Sequence, residues 1–117
     1  MSRRALNRLG ICGLLWLAAV PAAHAADAFA FDIAPGKFDE HCLKIEAGKT
    51  VRYRFTAGAA VDFNIHHHRG NEVLYPVKRD AVARAEGEFR APASEDYCLM
   101  WTNKSRAQVR VAGEVAR

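Results

Sequence analysis

Apolar and polar residues alternate along most of the chain with a period of two, the repeat of an extended strand whose successive side chains point to opposite faces. The clearest case is Thr50 to Thr56, with Val51, Tyr53 and Phe55 on one face and Arg52, Arg54 and Thr56 on the other. Phe29, Phe31 and Ile33 alternate in the same way and predict a short edge strand ended by Pro35-Gly36. Phe38 to Ile45 predicts a second strand, Ala57 to Ala60 a loop, and Val61 to His68 a further strand with Val61, Phe63, Ile65 and His67 on one side. Glu72 to Val77 follows a turn at Arg69-Gly70-Asn71, and Pro76 suits an edge or strand end. Arg79 to Glu86 fits a strand or a short helical turn, and its neighbours favour strand. Gly87 to Pro92 and Ala107 to Val115 complete the set.

Tyr97 to Asn103 differs from the rest. Tyr97, Leu99 and Trp101 occupy one face and Cys98, Met100 and Thr102 the other, so both faces are mostly apolar, as in a central strand buried on two sides. Seven or eight short strands separated by turn signals, with no amphipathic helix, predict an all-β fold, an antiparallel β-sandwich. Tyr53, Phe55, Phe63, Tyr97, Leu99 and Trp101 are its expected core.

The first 25 residues stand apart. Arg3, Arg4 and Arg8 precede the apolar run Leu9 to Val20, and Ala23-His24-Ala25 supplies small residues at a cleavage position, the pattern of a secretory signal peptide over residues 1–25. The run is short for a membrane span. Leu9-Gly10-Ile11-Cys12 is a poor lipidation signal. Removing the leader from 117 residues leaves 92, a single domain over 26–117, and leaves 14 basic residues against 13 acidic in place of the whole-chain charge of +4. A net +1 gives no electrostatic case for nucleic acid or an anionic membrane. Two of three cysteines remain, Cys42 and Cys98, and an exported domain with two cysteines most simply joins them in an oxidising compartment, periplasmic or secreted. Closing that 57-residue loop should stabilise by about 4 kcal/mol.

A cysteine on an early strand is followed in order by Val61-Asp62-Phe63-Asn64-Ile65, Gly70-Asn71-Glu72-Val73-Leu74-Tyr75, Gly87-Glu88-Phe89 and Tyr97-Cys98-Leu99-Met100-Trp101-Thr102-Asn103. Over residues 38–112 this resembles the GOLD domain, the lumenal β-sandwich of secretory-pathway cargo receptors. The resemblance implies a Cys42–Cys98 disulfide and a non-catalytic binding or interaction module. Those receptors continue into a coiled coil, a membrane span and a cytosolic tail, whereas this sequence ends at Arg117. The expectation is therefore a small exported protein of bacterial type without a transmembrane anchor, whose partner is a protein or a small ligand.

His66-His67-His68 is the feature richest in chemistry. On a strand His66 and His68 share a face with Cβ atoms about 7 Å apart, within reach of one metal ion if the strand twists, and Met100 could add a thioether that favours copper over zinc. The competing reading makes His66 and His68 a solvated face near a hairpin end and His67 a hydrogen-bonded, half-buried residue. Asp62 and Glu72 could orient the histidines, or simply be solvated. A blue-copper site needs a thiolate with a histidine shortly after it, and Cys98-Leu99-Met100 has none. Ser94 and Ser105 lie in polar turns without a nucleophile-elbow pattern, and no glycine-rich phosphate loop occurs. Asn103-Lys104-Ser105 matches a glycosylation sequon. The function expected is thus that of a binding module and not an enzyme, with no cofactor; the alternative is a periplasmic copper- or zinc-binding protein using His66, His68 and Met100.

Overall fold

The structure is a computed structural model that describes residues 12–17 and 25–117. Most of the expected leader lies outside the described residues. Six strands follow: β1 (Ala26–Ile33), β2 (Phe38–Ile45), β3 (Thr50–Arg69), β4 (Glu72–Arg90), β5 (Glu95–Thr102) and β6 (Val109–Ala116). All pairings are antiparallel, in one sheet ordered β1-β6-β3-β5-β2 with β4 paired to β3.

The strand count differs from the seven or eight short strands expected in a sandwich because several of those strands run together. Thr50–Thr56 and Val61–His68 join through Ala57 to Ala60 into the 20-residue β3, and the three segments between Glu72 and Arg90 join into β4. Small residues without an Asn, Asp or Pro do not force a turn, so the chain passes through them as irregular strand. The register shows the irregularity: between Thr56↔Arg84 and Val61↔Val82, β3 advances further than β4, as in a bulge, which bends a strand and increases its twist. On the edge of β3 away from β4, Arg52–Ala57 pairs with β6 and Asp62–His66 pairs with β5. β3 is therefore the organising strand, and not β5 as its two apolar faces suggested.

The sheet curls so that its two halves face each other. Trp101 of β5 shows the curl, its ring lying 4.6 Å from Phe29 and 5.7 Å from Phe31 of β1, and 5.6 Å and 5.7 Å from Phe55 and Phe63 of β3. Strands β1 and β5 are separated in the hydrogen-bonded order by β6 and β3, so their rings can meet only across the interior. Tyr53, Phe55, Phe63, Tyr97, Leu99 and Trp101 are all buried, together with Ile65, Val111 and Val115. The approach of β6 to β3 is close enough to require glycine at Gly113, where a Cβ would stand 2.7 Å from the Cα of Phe55.

Two further ties fix β5. Cys42 and Cys98 are directly opposite in the β2–β5 ladder, with Cα atoms 4.0 Å apart, and form a disulfide. At the other end Asn103 is fully buried, and its side-chain nitrogen donates to the carbonyls of Ile33 (2.9 Å) and Ala107 (2.8 Å). Its oxygen accepts from the amide (2.9 Å) and the hydroxyl (2.7 Å) of Ser105. Asn103 is thus an internal knot between β1, β5 and the turn into β6, and a side chain so enclosed is no glycosylation acceptor.

Asn103→Ala should lower stability by about 1–3 kcal/mol, because it leaves the buried Ile33 carbonyl without its side-chain donor and the Ser105 amide without its acceptor, whereas the Ser105 hydroxyl and the Ala107 carbonyl still have each other. Urea unfolding measures this, and a loss below about 0.5 kcal/mol would show that the knot is dispensable. Cys42→Ser with Cys98→Ser should cost about 2–4 kcal/mol in the same assay, with native-like circular dichroism retained at low temperature.

Candidate functional site

The outer face of β2, β5 and β3 carries the sequence-predicted chemistry. In β2 the side chains of Phe38, Glu40 and Cys42 alternate outward while Leu43 and Ile45 enter the core. Across the ladder Glu40 is opposite Met100, which is opposite Asn64, and Cys42 is opposite Cys98, which is opposite His66. Cys98, Met100 and Thr102 are half-buried, so β5 is covered by a second layer on one face only, and not on the two expected.

His66 is 5 % exposed, so the reading of His66 as a solvated residue fails. His68, one turn of the pleat further on, is exposed, and the two rings meet edge to face with centroids 5.4 Å apart. Tyr75 of β4 covers His66 from the hairpin side at 5.8 Å. Within the site, Asn64 is also buried, and its Oδ1 lies 2.8 Å from His66 Nδ1. An amide oxygen only accepts, so Nδ1 donates, and the neutral ring presents its Nε2 lone pair to Glu40 Oε2 at 3.7 Å. Burial holds the His66 imidazole below its ordinary pKa of 6.5; Glu40 opposes this shift, and His68 and His67 add to it.

His67 turns the other way. It is buried against Tyr97, with ring centroids 5.0 Å apart, but its Nδ1 has no hydrogen-bond partner, in contrast to the hydrogen-bonded residue expected. Met100 shares the face of His66 and lies beside Asn64 and Glu40 in register. Among the described residues, the one group of three histidine, cysteine or carboxylate ligand atoms within 4.8 Å of one another is Glu40, Cys42 and Cys98. Both sulfurs are in the disulfide and supply no thiolate. That grouping nevertheless places the Glu40 carboxylate directly over the disulfide, beside His66.

Asp62 and Glu72 do not orient the histidines. Glu72 is exposed and opposite Arg69. Asp62 accepts a hydrogen bond from the Ala81 amide at 2.9 Å and pairs with Lys104 Nζ at 2.6 Å. Ala81 has φ of 54°, a left-handed conformation that costs a residue with a Cβ about 1 kcal/mol or more, so Asp62 holds β4 at its bend. Ser94 and Ser105 are likewise structural: Ser94 Oγ accepts from the Ala47 amide at 2.9 Å, and Ser105 serves Asn103.

Phe38, Glu40, Asn64 and Tyr75 were not singled out by sequence reasoning. The alternation of β2 puts Phe38 and Glu40 outward, but their neighbours follow only from register: once Cys42 is opposite Cys98, Glu40 must be opposite Met100.

No family model matches the chain, and no curated protein is similar to it in sequence. Solved structures share its fold. The pre-peptidase C-terminal domain of a collagenase from Bacillus anthracis superposes with a TM-score of 0.60 at 14% identity, covering 76% of this chain and 87% of that one. The mitogen from Yersinia pseudotuberculosis gives 0.58 at 11% identity, covering 80% and 86%. PliG of Aeromonas hydrophila, a periplasmic inhibitor of g-type lysozyme, gives 0.52 at 18% identity, covering 83% and 89%. The chain therefore has the fold of small all-β domains, while the GOLD resemblance gains no family match.

Asp62 generates a pH prediction. Its carboxyl is held below the ordinary 3.8, first by the Lys104 hydrogen bond and then by the Ala81 amide, with burial opposing. The ionised form is favoured in the folded state, so its contribution is present above pH 3.8 and is lost as pH falls through the lower folded value. Asp62→Ala should be about 1–2 kcal/mol less stable than wild type at neutral pH, through loss of the Ala81 hydrogen bond. The urea midpoints should converge in acid, and a difference that is constant with pH would contradict the assignment.

Proposed function

We propose that the protein is an exported, non-catalytic binding module that recognises a protein partner through the outer face of β2, β5 and β3. The observation that carries this reading is the distribution of exposed apolar side chains. Among the described residues of the β-domain, the large hydrophobic residues left exposed are Phe38 (60 %), Tyr75 (51 %) and Val73 (38 %). Phe38 lies on the β2 rim of the face, and Val73 and Tyr75 lie on the β4 rim, with Met100, the disulfide and His66 between them. Aromatic residues and methionine are enriched in protein-recognition surfaces, and here the exposed large hydrophobic residues border one face on two of its sides.

Export is supported by the arginine-led apolar leader and by the Cys42–Cys98 bond, which suits an oxidising compartment. Among the described residues no helix is long and apolar enough to cross a membrane. A protein as partner is supported by PliG, whose fold is similar and which inhibits a lysozyme. The GOLD resemblance favours the same class, an interaction module built on a disulfide-tied β-domain.

Photo-crosslinking in the producing cell tests the reading, with a benzophenone amino acid replacing Phe38, Tyr75 or, as a control, Arg110 of β6. Discrete protein adducts from positions 38 and 75 and none from 110 are expected. Adducts of equal yield from all three positions, or none from 38 and 75, would overturn the proposal.

A further inference from the structure

We propose that Glu40, His66 and His68 form a binding site for a borderline divalent cation, zinc or copper(II). The proposal goes beyond protein recognition and stands on a separate observation, the orientation of the His66 ring. Asn64 Oδ1 accepts a hydrogen bond from His66 Nδ1–H at 2.8 Å, which fixes the tautomer and leaves the lone pair on Nε2. An amide or carbonyl oxygen holding the far nitrogen is the usual arrangement of a metal-binding histidine. The lone pair then faces a carboxylate oxygen 3.7 Å away. Two such acceptors attract only through a shared proton or cation.

The spacing suits a metal. Two ligands each about 2.1 Å from a tetrahedral zinc are about 3.4 Å apart, so a closure of about 0.3 Å in the exposed Glu40 side chain completes the bridge. His68 is exposed at 5.4 Å centroid distance from His66 on the same face and can swing a nitrogen in as third ligand, leaving a position for solvent. Two imidazoles and a carboxylate are a donor set that both zinc and copper(II) accept. The disulfide beneath Glu40 ties β2 to β5 and fixes the separation of the two halves of the site. Glu40 thereby takes the place expected for Met100, a thioether whose affinity would be for copper(I).

The test uses protein purified as the cell processes it, without a histidine tag and stripped by chelator, titrated calorimetrically with Zn(II) and Cu(II) near neutral pH. One equivalent should bind at micromolar affinity or tighter, and Co(II) should give the visible bands of a tetrahedral nitrogen–oxygen site. Glu40→Gln and His68→Ala, both at exposed positions and without effect on folding, should each weaken binding at least tenfold, while Met100→Leu should leave it unchanged. Absence of binding above the level of the His66→Gln, His68→Ala double variant, or binding indifferent to Glu40→Gln, would overturn the site. A loss confined to Met100→Leu would replace it with a thioether site. Crosslinking from positions 38 and 75 in the presence of chelator reads the partner surface separately, so either conclusion can fail without the other.

Discussion

Burial of Trp101 is the constraint on which the rest depends. Its ring is fully buried against four phenylalanines, two from β1 and two from β3, and this one contact closes the two halves of the sheet over each other. Removing it would open a cavity costing about 3–5 kcal/mol, a large part of the total stability of a domain this size. Because side chains alternate, placing Trp101, Leu99 and Tyr97 inward obliges Met100 and Cys98 to face outward. The recognition face is therefore a consequence of core packing, and a one-residue slip of β5 would destroy both.

The outer face is built for rigidity. β5 is held by β3 on one side and β2 on the other, Cys42–Cys98 prevents the β2 ladder from sliding, and Asn103 anchors the strand end. A partner or cation then meets side chains already positioned, which reduces the ordering cost of binding. The mixed-charge face of the other half, where Arg52 pairs with Glu88 and Arg54 with Glu114, is self-neutralised. Such exposed pairs contribute little energy and mark a solvated surface.

Strand faces were readable in the sequence, since Val51, Tyr53 and Phe55 could point inward only if the intervening arginines pointed out. The cysteine pairing was readable from compartment and count. Partnering was not: periodicity says which side a residue faces but not which strand lies beside it, so β5 looked central when β3 is. The merging of strands was hidden because Ala57 to Ala60 carries no residue that fixes a turn, and the bend at Ala81 because alanine gives no sign of a left-handed conformation. At the site, His66 and His68 stood out by their rarity, whereas Glu40 and Asn64 look like ordinary strand-surface residues until register places them beside His66. Asn103 matched a surface motif and proved to be the most enclosed polar side chain in the fold.

A face rigid before anything binds is the central claim, and amide hydrogen exchange of the oxidised protein, with no metal or partner added, tests it most directly. Amides of residues 63–65 and 99–101 should exchange only through global unfolding, with a free energy equal to that from denaturant unfolding. Exchange of those amides by local opening, as fast as at the outer edges of β1 and β4, would contradict it.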